Sequence, residues 1–272
     1  MSKNSGSFKK MFESFFATGA ILIAFLFAYY LYSSIMGSPV NFEGGNPKGT
    51  PLPGNYMGML YKGGPIVPIL MTCILTLLIF IVERAITLAK VKGKSSLDAF
   101  VANIQSLTAK DKIEDAITAC DTQKGSLANV VKAGLERYRD LENDKTLEKD
   151  QKITSMKQAL EEASALELPM LSKNMVILST LASISVLIGL IGTVLGMIRA
   201  FAALSQAGGS PDALQLATGI SEALINTAFG ITGSTLAIIF YNYFSSKIDA
   251  FTFKIDEAGF SLTQTFAARI RK

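Results

Sequence analysis

Apolar side chains run almost without interruption through four stretches of this chain, 15–36, 66–89, 175–204 and 219–244, and polar residues gather between them. A helix needs about 20 apolar residues to cross the hydrocarbon core of a bilayer. The pattern therefore predicts an all-α membrane protein with four transmembrane helices and long cytoplasmic helical extensions. Around the spans it leaves 1–14, 37–65, 90–174, 205–218 and 245–272.

The block 90–174 has the marks of helices punctuated by turns. Ser95 or Ser96 is placed to cap a helix running through Leu107, and Thr108 with Asp111 to start a second that includes Cys120. Gly125 and Ser126 separate that helix from one spanning 127–139. After a charged turn at 140–144, a long helix is expected from Thr146 toward the third span, with Pro169 bending it near the membrane surface. Ile113, Ala116, Ile117 and Cys120 recur at helical spacing, as do Val130, Val131, Leu135 and Tyr138, and such stripes mark helix packed on helix.

Lys and Arg set the expected orientation. Lys3, Lys9 and Lys10 precede the first span; Arg84, Lys90, Lys92 and Lys94 follow the second; Lys173 precedes the third. Lys247, Lys254, Arg269, Arg271 and Lys272 follow the fourth, while the other two connections hold only Lys48, Lys62 and Glu43, and Asp212. Both termini and the block 90–174 are thus expected on the cytoplasmic side. The basic start and Ser33, Ser34 and Gly37 also fit a signal peptide, but the apolar run is longer than a usual signal core. A net charge of +4 needs no nucleic-acid partner, because juxtamembrane cations meeting anionic lipid account for it.

Hydrophobic residues make up 49% of the chain and charged residues 18%, which suits a membrane setting. The absence of histidine removes imidazole acid–base chemistry, His-ligated metals and Ser-His triads. With no phosphate-binding loop or CxxC site, an enzyme, a cofactor or a metal centre is not expected. Cys73 lies in the second span and Cys120 in the cytoplasmic block, so a disulfide between them is not expected.

Candidate chemistry concentrates in the last two spans. Glu222 stands in an otherwise apolar segment, where a carboxylate is costly unless it has a function. Gly189, Gly192 and Gly196 on the third span, and Gly230 and Gly233 on the fourth, allow close backbone approach. Thr193 aligns at seven-residue spacing with Val186 and Ser179 and, taken alone, is placed to bond back to its own helix. In an antiparallel hairpin Thr193 and Thr227 fall at similar depth, with Glu222 about 7–8 Å nearer the outer surface and Asn226 one turn below it. Glu222, Asn226, Thr227 and Thr193, with Ser234 and Ser179 deeper, are the candidate ion pathway. The alternative is a Glu222 near enough to the interface to be hydrated, acting as a lock for helix packing.

At these residues the chain resembles the MotA/TolQ/ExbB proton-channel family. GLIGTVLGMI at 189–198 is similar to the family's GLxGTVxGI, and GISEALINTAFG at 219–230 to GIAEALxxTAxG. KGGPIVP at 62–68 and Glu83-Arg84 extend the likeness, which covers about residue 61 to the C-terminus; the first span departs from the three-helix ExbB and TolQ layout. The resemblance implies an inner-membrane homopentameric ring with the last two spans around a pore, and a dimer of an ExbD- or TolR-type single-span protein inside it. It further implies a TonB- or TolA-type periplasm-spanning protein as the recipient of motion, Thr193 and Thr227 as pore threonines, and Glu222 at the periplasmic mouth. Asn226 replaces a small residue there. An ExbB-like subunit is the preferred reading, with TolQ-like, MotA-like and non-conducting scaffold alternatives.

Overall fold

The computed structural model describes residues 4–143, 146–206 and 213–270. Lys3, Asp144, Asp212, Arg271 and Lys272 lie outside these, as do the side chains of Lys9 and Lys10 and part of the expected 205–218 connection.

Nine α-helices occur among the described residues: α1 Asn4–Tyr30, α2 Tyr56–Tyr61, α3 Val67–Lys92, α4 Leu97–Ala109, α5 Ile113–Gln123, α6 Ser126–Asn143, α7 Lys149–Ser172, α8 Met175–Gln206 and α9 Ala213–Ile270. A π-helical turn, Leu31–Met36, extends α1. Four of the helical stretches are long and apolar enough to cross a membrane. The chain divides into two compact units, one built from residues up to 81 and 176–241, the other from 82–175 and 242 onward.

In the first unit α1 buries a ridge of small residues, Ala20, Ala24 and Ala28, while Leu22, Ile23, Leu26 and Phe27 stay exposed. Four-residue spacing of alanines puts backbone close to backbone, the way helices associate where lipid offers no hydrophobic gain. Ala28 and Met36 pack with Val67 and Met71, and Ile225 and Phe229 of α9 close the cluster. The first span, whose role the sequence leaves open, is thus a packed part of this unit.

The connection between α1 and α3 is ordered by side chains that satisfy its backbone. Asn41 Nδ2 donates to the carbonyls of Ile35 and Met36 at 2.7 and 3.0 Å, closing the end of the first helix. Asn55 donates to Asn41 Oδ1 and accepts from the Gly58 amide, each at 3.0 Å, so it also caps α2. Lys62 Nζ donates to the carbonyls of Pro47 and Lys48 at 3.1 and 3.0 Å, and burial pushes its ammonium below the usual lysine range. Tyr61 stacks on Tyr32 with ring centroids 4.7 Å apart.

The second unit is a bundle of α4–α7 and the far end of α9. Its core holds Phe100, Ile104, Ile117, Val131, Leu135, Tyr138, Met156 and Leu160 together with Ile255, Leu262 and Phe266. The stripes on Ile113, Ala116, Ile117 and Cys120, and on Val130, Val131, Leu135 and Tyr138, are all in it. Gln123 fastens the exit of α3: its Nε2 donates to the carbonyls of Lys92 and Ser95, and its Oε1 accepts from the amide and hydroxyl of Ser95. Arg84, counted above among the juxtamembrane cations, is 1% exposed. It is held by both oxygens of Glu83 at 2.6 Å and donates to the Leu171 carbonyl at 3.1 Å.

Local boundaries differ from the sequence expectation in four places. Ser96 does cap α4, accepting from the Ala99 amide at 3.3 Å. Thr108, however, is inside α4 with its hydroxyl bonded to the Ile104 carbonyl, and Asp111 adopts a left-handed φ of 65° before α5 begins. The residues at 140–143 continue α6 instead of turning. Helix α7 starts at Lys149, where Glu148 and Gln151 form a reciprocal capping box. Its end is a break: α7 stops at Ser172, Asn174 takes a φ of 64°, and α8 begins at Met175. Pro169 sits within the last turn, so the interruption falls after it, at an asparagine that tolerates the left-handed region.

Candidate functional site between the last two helices

Glycines bring α8 and the first half of α9 together. A Cβ on Gly189 would lie 2.9 Å from the Asn226 carbonyl oxygen and 3.0 Å from the Gly230 Cα; one on Gly192 would meet Asn226 Cβ at 2.5 Å. One on Gly196 would meet the Ala223 nitrogen at 2.7 Å, and one on Gly230 the Gly189 Cα at 2.9 Å. Gly233 is looser, 3.2 Å from Ser185 Oγ. Real Cβ atoms do not sit as close as those on Gly189, Gly192, Gly196 and Gly230 would, so at these four positions only glycine permits this separation of the two backbones.

At that contact the hydroxyls of Thr193 and Thr227 bond to each other across the two helices. The Ala223 carbonyl lies 3.4 Å from Thr193 Oγ1 and 3.2 Å from Thr227 Oγ1, and the Gly189 carbonyl lies 3.1 Å from Thr193 Oγ1. Each hydroxyl has one proton and two lone pairs, so when one threonine donates to the other, the second donates to a carbonyl. The two arrangements exchange by rotation of hydroxyls alone, with no movement of backbone. Thr193 thus makes both the bond to its own helix and the one across.

Glu222, one turn before Asn226, is 4% exposed. Its Oε1 accepts from Arg199 Nη1, and Gly64 packs against the same carboxylate so closely that a Cβ there would strike it. The carboxylate is therefore enclosed and paired, unlike the hydrated acid weighed from the sequence. Asn226 is fully buried; its Nδ2 donates to the Gly63 carbonyl at 2.9 Å, while its Oδ1 is without a partner among the described residues. Gly63 and Gly64, in KGGPIVP, thus place the end of the 37–65 connection against Asn226 and Glu222.

The remaining candidates sit apart from the threonine pair. Ser234 donates to the Ala182 carbonyl at 2.6 Å and ties α9 to α8. Ser179 donates to the Val176 carbonyl at 2.9 Å on its own helix; fourteen residues from Thr193, it is about 21 Å along the axis. The structure brings together Thr193, Thr227, Asn226 and Glu222, and leaves Ser179 outside that group. Arg199 was missed. The available signal was a cation inside an apolar span, which needs a partner as much as a carboxylate does.

A sequence model of the MotA/TolQ/ExbB proton channel family matches residues 122–257, half of the chain, which takes in the α8–α9 contact but not Gly63 and Gly64. The chain belongs to the MotA/TolQ/ExbB proton channel family. Over 94 residues it is 36% identical to biopolymer transport protein ExbB-like 3 of Synechocystis sp., covering 34% of this chain and 45% of that protein. It is 28% identical over 155 residues to the Tol-Pal system protein TolQ of Pseudomonas aeruginosa, covering 57% of this chain and 67% of that protein. Biopolymer transport protein ExbB of Salmonella typhimurium is 36% identical over 74 residues, 27% of this chain and 30% of that protein. The chain thus spans less than half the length of the ExbB-like relatives it matches. Within the MotA/TolQ/ExbB family, ExbB and TolQ relatives stand at comparable similarity.

Proposed function

We propose that this chain is an ExbB-like subunit of an inner-membrane motor driven by the proton-motive force. It assembles as a homopentamer around a dimer of an ExbD- or TolR-type single-span partner, and passes motion to a TonB-type periplasm-spanning protein. Both termini and the second unit face the cytoplasm. The observation that carries the reading is the Thr193–Thr227 hydroxyl pair at a glycine contact inside the segment that the family model covers. A proton crossing a membrane potential yields about 2.3 kcal/mol per 100 mV, and a pathway of hydroxyls and a carboxylate is what exchanges that proton with a moving partner. Thr193, Thr227, Asn226 and Glu222 line the pathway, while Ser234 and the five glycines Gly189, Gly192, Gly196, Gly230 and Gly233 hold its walls.

The test is partner-dependent proton flux in liposomes carrying the full chain with its single-span partner. Glu222→Gln and Thr193→Ala are each expected to lower flux; wild-type flux in both would overturn the residue assignment. The similarity to TolQ over 57% of this chain supports a second reading, a Tol-Pal subunit, and co-purification of the native partner followed by mass spectrometry decides between the two.

A further inference from the structure

Arg199 lies on α8 three residues past Gly196 and reaches across to the Glu222 carboxylate. The two members of the pair are unequally placed: the Glu222 side chain is 5% exposed and that of Arg199 is 51% exposed. The acid is closed in by Gly64 from the connection. Tyr32 of the first span stacks on Tyr61 and donates to the Tyr61 carbonyl at 3.1 Å.

We propose that Arg199 gates ion entry to Glu222: while the pair is formed the carboxylate is covered and neutralised, and an ion reaches it only when the guanidinium swings away. This rests on the reading of Glu222 as part of the ion pathway. A guanidinium and an entering cation compete for the same oxygens, and the guanidinium holds them with directed, charge-assisted bonds. Arginine does not give up its proton in proteins, so the gate opens by displacement and not by deprotonation. The half-exposed partner has room to move; the enclosed one does not. Neither tyrosine carries a charge that could replace the arginine's.

The experiment uses the full chain with its partner in liposomes and reads modification of Glu222 by a hydrophobic carbodiimide at pH 7, by peptide mass spectrometry. The reagent attacks uncovered, un-ionised carboxyls. In Arg199→Gln, and in Arg199→Met as a second neutral variant, labelling should rise about tenfold or more, the equivalent of one charge-assisted hydrogen bond. Passive proton leak without the partner should rise with it, and Arg199→Lys should restore both toward wild type. Wild-type labelling in the neutral variants would overturn the gate, and so would a rise in labelling without a rise in leak, which would leave Arg199 a packing partner. Unchanged flux in Glu222→Gln would overturn the pathway reading and the gate with it; lost flux alongside unchanged labelling would overturn the gate alone.

Discussion

Thr193 and Thr227 share one interhelical bond and the Ala223 carbonyl, with the Gly189 carbonyl open to Thr193 alone, and in the proposed pathway their value lies in the hydroxyl rather than in the shape of the side chain. Thr193→Val keeps the branching and removes the hydroxyl, which leaves Thr227 donating to the Ala223 carbonyl with nothing across from it. Partner-dependent flux is expected to fall about tenfold, the kinetic equivalent of one hydrogen bond's free energy, while Thr193→Ser keeps most of it. Equal flux in the two variants would show that the hydroxyl carries no proton. At the other extreme stands Cys120, whose thiol burial pushes up to about 12. The thiolate is the nucleophile, and a raised value leaves almost none of it at pH 8. Maleimide labelling of Cys120 in the folded chain at pH 8 is therefore expected to be far slower than in urea; fast labelling in the native state would mean that the second unit opens readily.

Helix α8 meets α9 at a separation that its glycines dictate, so the cost of a methyl group should follow the space measured at each position. Gly192→Ala places its Cβ 2.5 Å from Asn226 Cβ, and Gly196→Ala places one 2.7 Å from a backbone nitrogen. Overpacking of this kind costs about 1–3 kcal/mol. Gly233→Ala meets its first neighbour only at 3.2 Å and should cost much less. Thermal unfolding of the purified assembly should rank the three, with Gly192→Ala and Gly196→Ala several degrees below Gly233→Ala; equal midpoints would show that the helices part to accept the methyl. These glycines were legible in the sequence because small residues at i and i+4 on an apolar helix have one common use. The break between α7 and α8 was not, since apolar periodicity continues through it and a single left-handed asparagine decides it. The Gly63–Gly64 contact with Glu222 and Asn226 was equally hidden, because it joins residues more than 150 positions apart and no local pattern encodes it.

For the chain as a whole, span number and the helical character of the 90–174 block follow from hydrophobic period. Which distant segments share a core does not follow from it. The core of the second unit is completed by Ile255, Ala258, Leu262 and Phe266 from the end of α9, with Phe266 set against Tyr138 at a ring separation of 4.6 Å. Each large apolar side chain removed from such a core costs about 2–5 kcal/mol, and Ile255, Leu262 and Phe266, taken together, match the roughly 5–15 kcal/mol that holds a domain folded. Truncating the chain after residue 250 should therefore unfold α4–α7, although none of their own residues is changed. Arg269, which bonds Asp111 and Glu142 at the surface of the same unit, is the contrasting control: its side chain is 36% exposed, and exposed ion pairs contribute about 0–1 kcal/mol. In limited trypsin digestion the truncated chain is expected to be cut rapidly between 97 and 172, whereas Arg269→Ala digests like wild type. Equal resistance of the truncated and full chains would show that the bundle stands without α9.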